Sequence, residues 1–246
     1  MIPIKTNKEI KIMQRGGRIA AQVKKELIKA TQPGVTTLEL DKLAEKLIKK
    51  AGALPSFKGY KDYPCSIVTC LNKETVHGIP GPRQLKKGDL LTIDLGIYYQ
   101  GFHTDTAISM FVGMSKPDSF LNVGQKALQR AISKAQPANH IGDISHAIQQ
   151  TIETAGYNVI RTFVGHGIGR LLHEPPQIPC FGKKGTAEEI KIGMTLAIEV
   201  MYAKGSAELE ILDDNWTAVT KDKSLTAMFE ETVAVTSKQT LVLTAR

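Results

Sequence analysis

The sequence lacks the features that mark membrane-spanning, secreted or disulfide-bonded proteins. None of its apolar runs approaches the ~18 residues that cross a bilayer. Its N-terminus, MIPIKTNKEIKIM, has no long apolar block and no small-residue cleavage site. Its three cysteines are an odd number without a CxxC pair, which argues against a disulfide framework or a zinc knuckle. We therefore expect a cytoplasmic protein that has no membrane partner.

The amino-acid composition of the chain is that of an ordinary globular protein. The chain has 246 residues, of which 42% are hydrophobic and 23% charged, enough to bury a sizeable core. Its 32 basic residues exceed its 24 acidic ones, and residues 1–50 hold twelve of the former and five of the latter. This basic region is either a solvated helical surface or a surface that docks on a polyanion such as RNA. It has no aromatic or glycine pattern of a base-reading module.

A segment of the chain is repeated. Residues 31–52, TQPGVTTLELDKLAEKLIKKAG, align without gaps with residues 135–156, AQPANHIGDISHAIQQTIETAG, at a constant offset of 104 residues. In both copies a proline-containing turn leads into an amphipathic helix that ends at glycine. Two helices can resemble each other by chance, but an offset without gaps favours duplication. We infer one domain over 1–246, built from two related halves, about 1–112 and 113–246.

Hydrophobic periodicity predicts four helices and eight strands. The helices are expected at 7–30, 36–50, 121–134 and 143–155, and a capping box of Thr36 and Glu39 would start the second. The strands are expected at 65–71, 90–99, 104–112, 159–164, 194–201, 209–212, 216–220 and 231–235. Helices followed by hairpin-connected strands indicate an α+β fold, with an antiparallel sheet covered on one face by helices. The other face is then free for a site.

Four carboxylates stand where a strand should be apolar. Asp94 and Glu199 interrupt the runs LLTIDLGIYY and MTLAIEVMY, and Asp105 follows Asp94 by eleven residues across a turn at 100–101. Glu230 precedes a further apolar strand. Each alone could face solvent at a sheet edge or pair with a lysine. Because a buried carboxylate needs a partner and a hairpin can bring two side chains to one face, the set as a whole indicates a site.

One histidine joins this set. His166 lies between glycines in VGHGIGR, after an apolar strand, where glycine permits close approach of a ligand. Four carboxylates and an imidazole suit Mn, Fe, Co or Zn, and two divalent ions with a bridging hydroxide nearly balance their charge. The chain has no HExxH helix, P-loop or GxSxG elbow. The spacing alone predicts a dinuclear hydrolase.

At these residues the sequence resembles the short, type I methionine aminopeptidases of the pita-bread fold family. The matching blocks are NKETVHGIP, TIDLGIYYQGFHTDTA, GHGIGRLLHEPPQIP, GMTLAIEV and WTAVTKDKSLTAMFEETVAVT. The resemblance implies a pita-bread α+β fold of two pseudo-symmetric halves, with the site between them. It also implies removal of the N-terminal methionine from nascent proteins and peptides, preferentially before a small second residue, by attack of a metal-bridging hydroxide.

The same resemblance implies roles for individual residues. The ligands of two divalent ions (Co, Mn, Fe or Zn) would be Asp94, Asp105, His166, Glu199 and Glu230. Glu199 would also shuttle a proton, His173 would hydrogen-bond the scissile carbonyl, and His77 would hold the next peptide group. The methionine pocket, for which plain core packing is the alternative, would be lined by Phe57, Tyr60, Tyr63, Val68, Leu172 and Trp216.

The chain departs from the family pattern at several positions. Val200 stands where proline is usual, and Met228 and Glu231 stand where glutamine and histidine are common. Glu231 leaves open which of two adjacent glutamates is the ligand, and the register of the motif favours Glu230. Phe57 and Val68, which are often cysteine in relatives, would slightly alter the side-chain preference.

Two other functions are considered. A proline-directed peptidase of the same fold, such as aminopeptidase P or prolidase, usually carries a large N-terminal domain, for which we expect no room here. A relative that binds RNA or ribosomes without catalysis would typically lose ligands, whereas all five are present. We expect a monomer that acts on nascent polypeptide N-termini. Ribosome association through the basic N-terminal region, with Lys24, Lys25 and Lys29 as test positions, is a hypothesis.

Overall fold

Capping residues mark where the first three helices begin. The computed structural model describes residues 1–114 and 118–245. Its helices are α1 (Asn7–Ala30), α2 (Thr37–Lys50), α3 (Ser119–Lys134) and α4 (Ile141–Thr154). Thr6 with Glu9, and Thr36 with Glu39, form capping boxes before α1 and α2, and the Asp118 side chain caps α3. These contacts satisfy N–H groups that lack a partner within the first turn. All four predicted helices are confirmed, with ends within two residues of the predicted ones.

Antiparallel pairing organises the strands of the described residues into a large sheet and a small one. The strands are β1 (Leu54–Pro55), β2 (Val68–Leu71), β3 (Glu74–Val76), β4 (Leu90–Tyr99), β5 (Phe102–Phe111), β6 (Asn158–Val159), β7 (Val164–Gly167), β8 (Glu174–Pro179), β9 (Thr195–Ala203), β10 (Leu209–Ile211), β11 (Ala218–Thr220), β12 (Thr226–Val235) and β13 (Thr240–Val242). The large sheet follows the path β1-β4-β5-β12-β9-β7-β8, and the small one is β10-β11-β3. Because β12 pairs with both β5 and β9, it joins the two parts of the large sheet.

The helices pack against the large sheet, and the apolar core lies between them. α1 contacts β4 and β5, while α3 contacts β9 and β12. One group of buried residues, which includes Leu27, Leu40 and Ile93, joins α1, α2 and β4. A second group, which includes Ile148 and Tyr202, joins α4 and β9. The inward face of the central strands, opposite to α1 and α3, lines a cavity.

The strand predicted at 65–71 starts late for a local reason. The carboxylate of Asp41, on α2, accepts hydrogen bonds from the backbone N–H groups of Ser66 and Ile67, at 2.7 and 3.0 Å. Since these groups are bonded to a side chain, they do not pair with a neighbouring strand. The strand β2 therefore begins only at Val68.

Two other predicted strands differ from the observed ones. The strand predicted at 159–164 is wrong, because the chain leaves the sheet after β6 and returns only at β7. Between them, the ring of Phe163 turns toward the cavity and meets His77 edge-on, with ring centroids 5.1 Å apart. The strand predicted at 231–235 begins five residues earlier, at Thr226. Glu230 therefore lies inside β12 and does not precede it.

The element order is consistent with a duplicated chain. Each part has two helices before its long strands, α1 and α2 before β4 and β5, and α3 and α4 before β9 and β12. The division of one domain at about residue 112 stays a prediction. Over residues 1–114 and 118–245, no helix combines the length and the apolar character needed to cross a bilayer.

Candidate metal centre and substrate cavity

Strand alternation places the four predicted carboxylates on one face of the large sheet. Asp94 and Glu230 both lie opposite Ala107, on either side of β5. Asp105 is two positions before Ala107 and so shares its face. Glu199 on β9 lies directly opposite Glu230 on β12. The sheet therefore brings together carboxylates that are up to 136 residues apart in the chain.

His166 completes the cluster from β7. One ligand atom each from Asp105, His166 and Glu230 lies within 4.8 Å of the others. Nε2 of His166 is 3.5 Å from Oε1 of Glu199. Its Nδ1 is 2.8 Å from the Gly167 carbonyl oxygen, which can only accept a hydrogen bond. Nδ1 therefore carries the proton, and Nε2 is free to bind a metal ion.

The electrostatics of these side chains fit divalent metal ions. All five are buried. Burial raises the pKa of Asp105 to about 7, and burial together with mutual repulsion raises the pKa values of Asp94, Glu199 and Glu230 well above their usual range. Burial lowers the pKa of His166 to about 4, so that its ring is neutral, as a metal ligand must be.

Two oxygen atoms of the cluster point to the same conclusion. Oδ1 of Asp94 and Oε1 of Glu230 are buried without a hydrogen-bond partner. Moving a carboxylate oxygen from water into the protein without a hydrogen-bond donor costs several kcal/mol of free energy. A bound cation compensates this cost. The residues present therefore fit divalent metal binding.

The neighbouring Glu231 lies on the other face of β12. The ammonium of Lys24, on α1, donates to Oε1 of Glu231 at 2.9 Å and to the Thr106 hydroxyl at 2.6 Å. Glu231 also accepts hydrogen bonds from the hydroxyls of Thr106 and Thr244. The geometry brings Glu230 into the cluster and keeps Glu231 out of it. It also corrects the choice of Lys24 as a test position for docking, because this side chain is buried, whereas Lys25 and Lys29 are exposed.

A cavity of about 330 Å³ lies over the cluster. It is lined by the five predicted ligands, by His77 and His173, and by all six residues predicted for the methionine pocket: Phe57, Tyr60, Tyr63, Val68, Leu172 and Trp216. Sequence reasoning missed six further lining residues: Lys61, Val76, Thr162, Phe163, Val164 and Met228. Among these, only Met228 carries a signal in the sequence, as a departure from the family pattern.

The two histidines predicted as non-ligands line this cavity from two different loops, His77 after β3 and His173 before β8. His173 packs against the ring of His166, with centroids 4.3 Å apart, and its Nδ1 is 2.8 Å from the Tyr60 hydroxyl. His77 has a positive φ of 60° and lies edge-on to Trp216, with centroids 6.1 Å apart. Burial lowers the pKa of His77, which keeps the ring neutral.

A buried cluster of four carboxylates and one histidine beneath a substrate-sized cavity defines a metal-dependent hydrolase. Residues 11–237 match metallopeptidase family M24. The chain belongs to this family.

The chain is similar over its full length to proteins named methionine aminopeptidase. "Methionine aminopeptidase 1" of Bacillus subtilis (strain 168) is 45% identical over 246 residues, 99% of each chain. The crystal structure of methionine aminopeptidase from Thermotoga maritima is 40% identical, covers 100% of both chains and superposes with a TM-score of 0.96. This likeness confirms the α+β pita-bread fold. Prolidase from Pyrococcus furiosus, at 24% identity and a TM-score of 0.79 over 65% of its chain, shares the fold alone.

Proposed function

We propose that this protein is a methionine aminopeptidase, which removes the N-terminal methionine of nascent proteins and peptides, preferentially before a small second residue. The observation that carries the proposal is that one cavity joins an apolar, aromatic end to the carboxylate and histidine cluster. A thioether side chain suits such an apolar end. With the methionine side chain there, the free amino group and the first peptide carbonyl reach the cluster.

The cluster would hold two divalent ions. Its ligands are Asp94, Asp105, His166, Glu199 and Glu230. One ion would leave a site with four carboxylates strongly negative, whereas two ions balance the charge. When bound, such ions lower the pKa of a water molecule and polarise the peptide carbonyl. Oxygen and nitrogen donors of this kind accept Co, Mn, Fe or Zn.

Glu199 is placed to move the proton. Its carboxylate is buried beside His166, with Oε1 3.5 Å from Nε2 of the imidazole ring. A ligating carboxylate beside the attacking water can take its proton and hand it to the leaving amine. We therefore assign it both roles, ligand and proton carrier.

His173 and His77 would bind the peptide itself. The Tyr60 hydroxyl lies within hydrogen-bond distance of Nδ1 of His173. With the hydroxyl as donor to Nδ1, Nε2 of His173 carries the proton. It can then donate to the carbonyl oxygen as negative charge develops there. His77, on the loop after β3, would hold the next peptide group.

The test is methionine release by metal-free protein supplied separately with Mn, Fe, Co and Zn. We expect release from Met-Ala-Ser, much less release from Leu-Ala-Ser, and none in the Asp94→Asn variant. Hydrolysis of an X-Pro peptide in preference to Met-Ala-Ser would instead support the proline-directed alternative. No release with any metal would refute the proposed enzyme.

The remaining expectations concern the surroundings of the enzyme. Ribosome association would involve the exposed lysines of the basic region, such as Lys25 and Lys29. A monomeric state and a cytoplasmic location also stay predictions. Charge reversal at Lys25 and Lys29 that left ribosome affinity unchanged would contradict the first of these.

A further inference from the structure

A cation at the mouth of the cavity has no role in the chemistry above. Lys61 is exposed and lines the cavity. In residues 1–114 and 118–245, no carboxylate oxygen lies within 4.0 Å of its ammonium nitrogen. An ammonium group that borders a substrate cavity without a protein partner is available to a charged group of the substrate.

The backbone holds this lysine in an unusual conformation. Lys61 has φ 48° and ψ 37°, in the left-handed region that non-glycine residues rarely adopt. The backbone N–H of Gly59 donates to the Tyr63 carbonyl at 2.8 Å, and the N–H of Tyr63 donates to the Tyr60 carbonyl at 3.0 Å. These bonds close the turn around Lys61 and so determine where its side chain leaves the backbone.

The ammonium of Lys61 lies near the Tyr60 ring, whose hydroxyl contacts one of the histidines that would bind the peptide. Its Nζ lies 5.5 Å from the centre of the Tyr60 ring, and the hydroxyl of that ring contacts His173. Burial is the main cause of the lowered pKa of His77, and the positive charge of Lys61 is the second cause. The charge of Lys61 also contributes to the lowered pKa of His173, after burial and the ring of His166, so the ammonium acts on both histidines.

The direction of the substrate follows from the proposed position of the methionine. With the methionine side chain at the apolar end and the amino group at the cluster, the rest of the polypeptide leaves through the open mouth. Lys61 is an exposed residue of the cavity lining, and its neighbour Tyr60 contacts His173. Residues shortly after the methionine are thus the first part of the substrate to meet this positive charge.

We propose that Lys61 is a specificity-determining residue that recognises a carboxylate on the polypeptide just downstream of the N-terminal methionine. The carboxylate is either an acidic side chain near the third residue or the terminal carboxylate of a short peptide. The inference rests on the proposed aminopeptidase function.

The same loop offers a matched control. Lys58, three residues earlier, is also exposed, but its ammonium is held by Glu45 at 2.8 Å and it does not line the cavity. Lys58→Glu and Lys61→Glu change the net charge of the protein equally. Only the second places the new charge at the cavity mouth.

The experiment compares kcat/KM for methionine release from Met-Ala-Glu-amide and Met-Ala-Gln-amide, with Met-Ala-Gln as the free acid in a third arm. We expect the wild type and Lys58→Glu to favour Met-Ala-Glu-amide about two- to fivefold, the order of a surface ion pair. The preference should fall toward one in 1 M salt, because exposed charges are screened. Lys61→Glu should reverse it. A preference confined to the free acid would assign the site to terminal carboxylates.

A binding measurement separates this inference from the proposed reaction. Trp216 is the only tryptophan of the chain and lines the same cavity, so its fluorescence reports peptide binding to metal-free protein. Tighter binding of Met-Ala-Glu-amide or of the free acid than of Met-Ala-Gln-amide, lost in Lys61→Glu, supports the inference even if no methionine is released. Equal binding, or release with the same ratio in Lys61→Glu as in the wild type, overturns it. Absence of release from all three peptides refutes the proposed function.

Discussion

Replacing Lys5 by methionine removes one partner of a buried ion pair that holds the loop before β8. The ammonium of Lys5 bonds Oε2 of Glu174, and the two side chains are only 4% and 3% exposed. Oε1 of Glu174 also accepts the N–H of Leu171 at 3.2 Å. Because Glu174 directly follows His173, the pair ties the loop that carries this imidazole to the N-terminal segment.

The loss of stability in Lys5→Met follows from the buried Glu174 carboxylate, which is left without its cation. An uncompensated buried carboxylate costs about 3–5 kcal/mol. For a chain of this size each kcal/mol lowers Tm by roughly 2–4 °C. We therefore expect Lys5→Met to lower Tm by about 6–20 °C in thermal unfolding followed by circular dichroism. The double variant Lys5→Met/Glu174→Gln should recover much of this loss, since the amide keeps the acceptor for Leu171 and carries no charge.

The control is a second ion pair between the same two segments. Arg170 bonds Glu9 at 2.8 Å, but its side chain is 67% exposed. An exposed pair contributes at most about 1 kcal/mol, so Arg170→Ala should lower Tm by no more than about 4 °C. If Lys5→Met is no more destabilising than Arg170→Ala, the reasoning from burial is refuted.

Three further predictions concern the metal centre and the helices. The pKa of Asp105 is raised from 3.8 to about 7, so this carboxylate makes the metal-free fold less stable as the pH rises from about 4 to about 7, and adds no further cost above that. At pH 6 a metal ion must displace the proton of Asp105, whereas at pH 8 the carboxylate is already ionised. Mn²⁺ should therefore raise Tm more at pH 8 than at pH 6, and an equal rise would contradict this. Thr36→Ala removes the cap of α2 and should cost about 1 kcal/mol, measurable by urea unfolding against the wild type. A Cβ at Gly17 would lie 2.1 Å from the Leu243 carbonyl oxygen, so Gly17→Ala should destabilise the protein strongly. Gly16→Ala, whose nearest contact is 3.4 Å, is its control and should be tolerated.

The sequence predicted the long elements well, for a physical reason. The helices have strong apolar periodicity and capping residues, and β4 and β5 are long, largely buried strands joined by a turn at residues 100–101. The carboxylates were found because Asp94 and Glu199 violate that pattern inside apolar strands. A local exception of this kind is visible in one sequence without any knowledge of the fold.

What was missed depends on contacts between distant segments. The prolines in EPPQIP argue against a strand, yet β8 forms at the end of the sheet path, where a missing N–H is tolerated. In the sequence Lys24 resembles the other lysines of α1. Its burial against Glu231 arises only because α1 packs on β4 and β5, from where this side chain reaches β12. Lys61 likewise carries no signal in the sequence, because its place in the cavity lining depends on the fold of the turn around it.

The central claim is that Glu230, and not Glu231, belongs to a metal centre that performs the hydrolysis. The most direct test is to measure bound Mn²⁺ per chain after equilibrium dialysis, together with methionine release from Met-Ala-Ser, in Glu230→Gln and Glu231→Gln. We predict that Glu230→Gln loses bound metal and activity, while Glu231→Gln, although less stable, still binds the wild-type number of ions and releases methionine. Wild-type metal content in Glu230→Gln, with loss in Glu231→Gln, would contradict the account.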